Sequence, residues 1–356
     1  MTKIVYVIST INAGGAEIQL IRSLQKLNYA KYEVTLLVLS NNQQLINEVP
    51  RKVKIVTHNI RKSPIYFLLD FFGFLFRLLK ISPDIVHSSL LLSNLLVRPI
   101  KILKPKVKII NHIHGQGNWI PPIIRFFDTY SAFLVNQFLF VSKFSANLRI
   151  KRERYPIDKV RVLYNAVETG HLLKVKVREN RTRLYIGTLS RLTSVKCLDK
   201  AIDIIIYLNK SGLDSKLIIA GDGSEEEYLK QYCVNSKANE VVDFVGFQSN
   251  IPEFLSSIDV LISVSEREDL PINLIEGLIS GKPLIATNVG GVSEIITPEV
   301  DGLLISPDVS NSDMSNIMKY LSKVNLLEAE QVNKKLGVVK FDIQNYMNNL
   351  DEIYQE

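Results

Sequence analysis

Two glutamates in the second half of the chain have a spacing suited to holding hydroxyl groups. They lie in Glu268-Asp269-Leu270-Pro271-Ile272-Asn273-Leu274-Ile275-Glu276-Gly277-Leu278-Ile279-Ser280-Gly281-Lys282-Pro283. Pro271 suits a first helical turn, and Gly281 with Pro283 suits a stop, so one short helix is expected between them. Ile272, Ile275 and Ile279 form its apolar face. Glu276 follows the first of these by four residues and precedes the last by three, which turns its carboxylate toward the interior. A buried carboxylate is costly unless hydrogen-bond donors meet it, and a ribose diol would supply two. A glutamate that snorkels at the edge of the apolar stripe is the alternative. Glu268, at the mouth of the helix, could reach a second set of hydroxyls.

Basic groups suited to phosphate stand upstream. In Gly187-Thr188-Leu189-Ser190-Arg191-Leu192-Thr193-Ser194-Val195-Lys196 a strand end is followed by Arg191 and Lys196 at the start of a helix. An arginine fork and a lysine charge beside helix N–H groups make a diphosphate clamp, two solvated charges being the alternative. The chain contains no Asp-x-Asp, the usual acidic signature of a metal-held diphosphate, so the clamp is expected to work without metal. Near the N-terminus, Ile11-Asn12-Ala13-Gly14-Gly15-Ala16-Glu17 puts Gly14 and Gly15 between a first strand and its helix. This permits close approach of a phosphate or sugar hydroxyl, or only a tight turn. Gly221-Asp222-Gly223 reads as a turn, because three glutamates follow where a phosphate fingerprint needs glycine. Gly277–Lys282 resembles a phosphate loop but is one residue short and runs into Pro283, so it reads as a helix stop.

Three histidines close candidate strands. His87 ends Asp84-Ile85-Val86-His87-Ser88, and His112 and His114 share one face of a strand by their alternation. A metal held by that pair would lack a third ligand, which favours a plain polar site.

These residues need elements to position them. At 356 residues, 46% of them hydrophobic, the chain has the size of two ordinary domains. Strands are expected at 3–10, 33–39, 53–58, 84–88, 107–114, 138–141 and 160–163. A second series is expected at 183–187, 216–220, 241–245, 260–264, 283–287 and 303–305. Near-continuous apolar strands separated by helices imply parallel sheets covered on both faces, that is, two doubly wound Rossmann-like α/β domains. Their ligand crevices are expected to face a common cleft. The boundaries fall at 1–170 and 181–340, with a polar linker from Glu168 to Arg183 and a final helix, 341–356, crossing back to the first domain.

The net charge of +7 conceals a division: residues 1–180 carry +17 and residues 181–356 carry −10. A basic half fits nucleic acid, an anionic membrane or a phosphorylated ligand, with scattered surface lysines as the plain alternative. Residues 65–81, IYFLLDFFGFLFRLLKI, form an apolar helix interrupted by Asp70 and Arg77. It reads as a helix packed on the first sheet, or as one dipping into a membrane interface between Arg61, Lys62, Arg77 and Lys80; at 17 residues it is short for a span. Two cysteines, Cys197 and Cys233, form no disulfide framework, and MTKIVYVIST enters a strand with no signal peptide. Both point to a reducing compartment, the cytoplasm, and make the sequon Asn180-Arg181-Thr182 incidental.

Taken together, S-x-R-E-D-L-P-x-x-L-I-E-G-L-x-x-G-K-P, the following Asn288-Val289-Gly290-Gly291, the Gly14–Glu17 turn, the Arg191/Lys196 pair, Val245-Gly246-Phe247 and Tyr164-Asn165-Ala166-Val167-Glu168 resemble the family-4-type retaining glycosyltransferases. The resemblance implies the two-domain GT-B architecture, with a nucleoside diphosphate sugar on the second domain and a saccharide or lipid-diphosphate-linked acceptor on the first. It places Glu276 on the ribose, Glu268 on the transferred sugar, Arg191 and Lys196 on the diphosphate, and Gly14 and Gly15 near the donor. Phe247, Asp269, Leu270 and Pro271 join the donor site, His114 becomes the active-site histidine, and His87 and His112 line the acceptor site. No metal and no nucleic acid is implied. The setting is cell-surface polysaccharide biosynthesis at the inner face of a membrane. Two departures stand out: Cys197 replaces the usual glycine after the lysine, and Pro271 replaces a glycine, which removes one backbone donor. A sugar-nucleotide epimerase of the same fold and an inactive nucleotide-binding subunit are the rival readings.

Overall fold

The computed structural model describes residues 1–12, 14–61, 63–117, 120–177, 182–298 and 300–356, with the backbone alone for residues 64 and 65. Lys62 and the sequon residues Asn180 and Arg181 lie outside the described residues. The chain forms two compact units, Met1–Asn165 with Ile343–Glu356, and Ala166–Asp342.

The first unit is a parallel sheet of β1 (Thr2–Ile8), β2 (Tyr32–Val38), β3 (Lys54–Thr57), β4 (Ile85–Ser89), β5 (Lys108–Ile113), β6 (Gln137–Phe140) and β7 (Val160–Val162), ordered β3-β2-β1-β4-β5-β6-β7. Val5 stands opposite both Thr35 and Val86, and residues 4–8 are buried throughout, as expected of a strand covered on two faces. Strand order reverses between β1 and β4, and ligands of such sheets bind in the crevice that opens there, beyond the carboxyl ends of the strands. Ser9 Oγ and Ser93 Oγ bridge this crevice at 2.8 Å.

Helix Pro64–Ile81 packs on this sheet through Phe74, Leu75 and Leu78, while Tyr66, Leu68, Leu69, Phe72 and Phe76 remain exposed. Asp70 is not left in its apolar surroundings alone. It accepts from Arg61 Nε at 2.9 Å and Nη2 at 2.8 Å, and these bonds hold its carboxyl down to about 2. Among the described residues no helix is long and apolar enough to cross a membrane. The final helix, Ile343–Gln355, buries Tyr346, Met347, Leu350, Ile353 and Tyr354 against the first unit, a helical stripe of 3.6-residue period.

The second unit is a parallel sheet of β8 (Leu184–Leu189), β9 (Ser215–Ala220), β10 (Val242–Gly246), β11 (Val260–Ser263), β12 (Leu284–Thr287) and β13 (Gly302–Ile305), ordered β10-β9-β8-β11-β12-β13. Its reversal falls between β8 and β11. The polar stretch that opens this unit is no free linker. It holds the short helix Thr169–Leu172, buries Leu172 and Val175, and pairs Val167 with Asp342.

Helix Ile272–Ile279 begins one residue after Pro271, which takes the N-cap position. At its other end the Gly281 N–H donates to Leu278 O at 2.9 Å and the Lys282 N–H to Gly277 O at 3.0 Å, with Gly281 at φ +78°. This is a Schellman stop, and it uses the glycine that a phosphate loop would have needed.

Candidate active site

The carboxyl ends of β8 and β11, on either side of the second sheet's reversal, carry the charged residues. After β8 the chain turns through Ser190 and Arg191 into a short 3-10 turn, Ser194–Lys196, and then into helix Leu198–Lys210. Arg191 is exposed at this edge. After β11 it passes Ser265 and Glu268 before helix Ile272–Ile279. The Glu266 N–H donates to Val195 O at 2.9 Å and ties the two loops together. Lys196 Nζ donates to Glu268 Oε1 at 2.6 Å, and the Ser265 hydroxyl donates to the same oxygen at 2.7 Å. The expected clamp lysine and sugar glutamate therefore form a half-buried ion pair.

The loop holding Arg191 is fixed from below by Gly221-Asp222-Gly223. The Ser190 N–H donates to Ala220 O at 3.0 Å and the Leu192 N–H to Asp222 O at 2.6 Å. A Cβ on Gly221 would lie 1.8 Å from Ser190 O, and one on Gly223 would lie 2.3 Å from Leu192 O. Both glycines also hold φ values, +138° and +153°, that side-chain-bearing residues avoid. The turn expected from sequence thus supports Arg191. Gly221→Ala should cost about 3 kcal/mol, because backbone strain adds to a clash with a carbonyl that cannot rotate away. Urea unfolding measures this; a loss under about 1 kcal/mol would contradict the packing.

Glu276 lies on the inward face of its helix at 7% exposure, between the buried Ile275 and Gly277, and Ile279 is fully buried. A Cβ on Gly277 would meet Leu261 at 2.5 Å, so this glycine lets the helix close onto β11. Asn273 Nδ2 donates to Leu189 O at 2.8 Å and fastens the start of the helix to the end of β8. Leu270 and Pro271 are buried, and the Asp269 carbonyl accepts from the Gly291 N–H at 2.7 Å. Phe247, just past β10, is 68% exposed, an aromatic face free to stack on a ring. Cys197 sits in the left-handed region at φ 47°, which explains why glycine suits this position.

In the first unit Gly14 is the N-cap of helix Gly15–Lys26, and Glu17 in its first turn accepts from the Thr10 hydroxyl at 3.0 Å. The three histidines form a stack. The His112 and His114 rings lie 4.1 Å apart, and His87 Nε2 approaches His112 Nδ1 at 3.4 Å. His87 Nδ1 meets the Tyr354 hydroxyl at 2.6 Å, and that hydroxyl meets the Tyr6 hydroxyl at 2.6 Å. Burial pushes His87 down to about 3, His114 to about 4, and His112 well below its usual range, so all are neutral imidazoles at neutral pH. His87 and His112 are buried, whereas His114, one residue past β5, is half-buried. Although buried, His87 and His112 line a small pocket together with His114, Tyr6 and Tyr346. Tyr354 could not be found by sequence reasoning, because 267 residues separate it from the histidine it meets.

The sequence falls into two known patterns. Residues 172–335 match the family model described as glycosyl transferases group 1, and residues 13–171 match that of glycosyltransferase family 4. The chain is 26% identical over 217 residues to the uncharacterized glycosyltransferase MJ1607 of Methanocaldococcus jannaschii, a match spanning 56% of this chain and about half, 55%, of that protein. It is 26% identical over 347 residues to the O-antigen biosynthesis glycosyltransferase WclY of Escherichia coli, covering 91% of this chain and 90% of that one. Among solved structures, Anabaena HepE in complex with UDP and glucose superposes with a TM-score of 0.80 at 17% identity over 100% of both chains. Two parallel Rossmann-like sheets, the charged pair of loops at the second reversal and these matches lead to one assignment: the chain belongs to the group 1 glycosyltransferases of the family-4 type, with the GT-B fold.

Proposed function

We propose that the protein transfers a sugar from a nucleoside diphosphate sugar to a saccharide or lipid-diphosphate-linked acceptor, with retention of configuration and without a metal. The observation that carries this reading is the Lys196–Glu268 ion pair beside the β8/β11 reversal, with Arg191 on the loop that also carries Lys196 and Glu276 on the helix that follows Glu268. Arg191 and Lys196 would oppose the charge that grows on the departing diphosphate, and Glu276 would accept from the ribose diol. Glu268 would orient the sugar, with the Asp269–Pro271 backbone alongside and Phe247 stacked on the base. On the first unit, Gly14 and Gly15 would admit a phosphate or hydroxyl at the helix N-terminus. His114 would meet the sugar as a neutral imidazole, and His87 and His112, which line a small pocket with it, would serve the acceptor. No side-chain nucleophile is required if a leaving phosphate oxygen takes the acceptor proton. The donor class has support from HepE, whose structure holds UDP and glucose, and the polysaccharide setting from WclY. Incubation with nucleotide sugars and lipid-linked saccharides in excess EDTA should release nucleoside diphosphate and yield an α-linked product from an α-linked donor. Inversion, or activity restored only by magnesium or manganese, would overturn the corresponding part.

The second element of the proposal is peripheral attachment to the inner face of an anionic membrane through the first unit. It is supported by the exposed apolar face of helix Pro64–Ile81 and by a second such face on helix Pro122–Tyr130, where Ile123, Phe126, Phe127 and Tyr130 are exposed. Arg77 and Lys80 are exposed and available to lipid phosphates, whereas Arg61 is committed to Asp70. Each basic residue near such a surface contributes about 1 kcal/mol. Flotation with anionic liposomes should carry the protein upward at low salt, with partial release at high salt; protein remaining at the bottom at low salt would contradict attachment.

A further inference from the structure

A second polar pocket lies in the first unit, beyond the carboxyl ends of β4 and β5. Arg98, Asp128, Arg149, Tyr155 and Asn94 line it, and it shares His114 with the histidine stack. Beneath it lies a buried charge network. Asp128 Oδ1 takes Arg98 Nη2 at 2.7 Å, and its Oδ2 takes Arg149 Nη2 at 2.6 Å and the Tyr155 hydroxyl at 2.5 Å. Glu153 is met by Arg149 Nε at 2.9 Å, Arg152 Nε at 2.6 Å and Arg125 Nε at 3.6 Å. Four guanidiniums therefore surround two carboxylates; Asp128 is hydrogen-bonded at both oxygens, whereas Glu153 Oε2 faces Arg149 Nε as an ion pair without a hydrogen bond.

What is left over is donor capacity. Arg149 is 3% exposed, and its Nη1 donates to no acceptor among the described residues. Gly117, at φ +66°, makes room for that nitrogen beside the pocket: a Cβ there would lie 2.4 Å from Nη1 and displace it. Across the pocket, Leu90 is held at φ 73°, a conformation costly for leucine that brings it to the pocket wall. Buried ion networks contribute little to stability compared with apolar packing, so a network with surplus cation and an open guanidinium edge points to a ligand. A neutral saccharide does not require the surplus, whereas a planar fork matches a carboxylate or phosphate.

We propose that this pocket receives an oxyanion, carboxylate or phosphate, on the Nη1 edge of Arg149. That the oxyanion is carried by the sugar acceptor, next to His114, rests on the transferase reading; that the pocket binds one does not. The test is calorimetric titration of inorganic phosphate, malonate and glucose, at fixed ionic strength, into the full chain carrying Arg191→Ala and Lys196→Ala, so that the second unit's clamp cannot answer for the signal. Saturable binding of phosphate or malonate, not of glucose, is expected, and whichever binds tighter identifies the group. Adding Arg149→Lys, which keeps the charge but removes the fork, should weaken it at least tenfold, as should Gly117→Ala, which lies outside the ion network. Absence of saturable oxyanion binding, equal binding of glucose, or binding unchanged in both variants would overturn the proposal. A separate titration of UDP, GDP and ADP into the chain with Arg191 and Lys196 intact reports on the transferase reading. A nucleotide bound without an oxyanion removes this inference alone, and an oxyanion bound with none of the three nucleotides removes the transferase reading alone.

Discussion

Lys196→Ala is expected to lower kcat by about a hundredfold to a thousandfold, the usual cost of removing one preorganised charge from a developing anion. The position of Lys196 makes the effect specific to turnover. Its ammonium lies 2.6 Å from Glu268, and its loop is tied to the β11 loop by the Glu266–Val195 hydrogen bond. In the proposed reading, loss of the lysine removes positive charge from the leaving group and one hydrogen-bond donor from Glu268. Folding should suffer far less, because the pair is half-buried and salt bridges of this kind contribute about 1 kcal/mol or less. Arg191→Ala should act in the same direction with a smaller effect on stability still, since Arg191 is exposed. Kinetics and urea unfolding on the same preparations separate the two roles. Full turnover in a variant that unfolds early would make the pair structural.

Most of the framework was legible because its signals are local. Apolar runs bounded by turn residues located the strands of both sheets, and helical spacing alone turned Glu276 inward, where the structure has it. Gly281 was legible as a stop for the same reason. What escaped depends on which strands become neighbours. The Lys196–Glu268 pair joins residues 72 apart and forms only because β8 lies beside β11 in the sheet. The Gly221 turn was readable as a turn, but not as the floor of the Arg191 loop, since that contact follows from β9 pairing with β8. Tyr354 reaches His87 only after the final helix has packed on the first unit. The network of Arg98, Asp128, Arg149 and Glu153 is scattered over 56 residues and has no spacing signature, although four buried charges of 3% exposure or less are among the least expected features of a fold. Cys197 was visible as a departure from glycine, and its reason, a left-handed backbone, only in the structure.

The proposed donor site on the second unit depends above all on Glu276. Its carboxylate is held on the inward face of helix Ile272–Ile279. That helix is anchored at its start by Asn273 to Leu189 and closed at its end by the Gly281 stop, so the side chain has little freedom to relocate. Hydrogen bonds from a diol to a charged carboxylate contribute about 1.5–3 kcal/mol, so Glu276→Gln, nearly isosteric but uncharged, should weaken nucleotide affinity by roughly ten- to a hundredfold. The most direct measurement is calorimetric titration of UDP into the wild-type chain and into Glu276→Gln, with melting temperatures taken in parallel to show that both are folded. Saturable binding to the wild type and its loss by at least tenfold in the variant is the predicted result. Equal affinity in the two, or no UDP binding to a folded wild type, would contradict a uridine nucleotide held at this carboxylate.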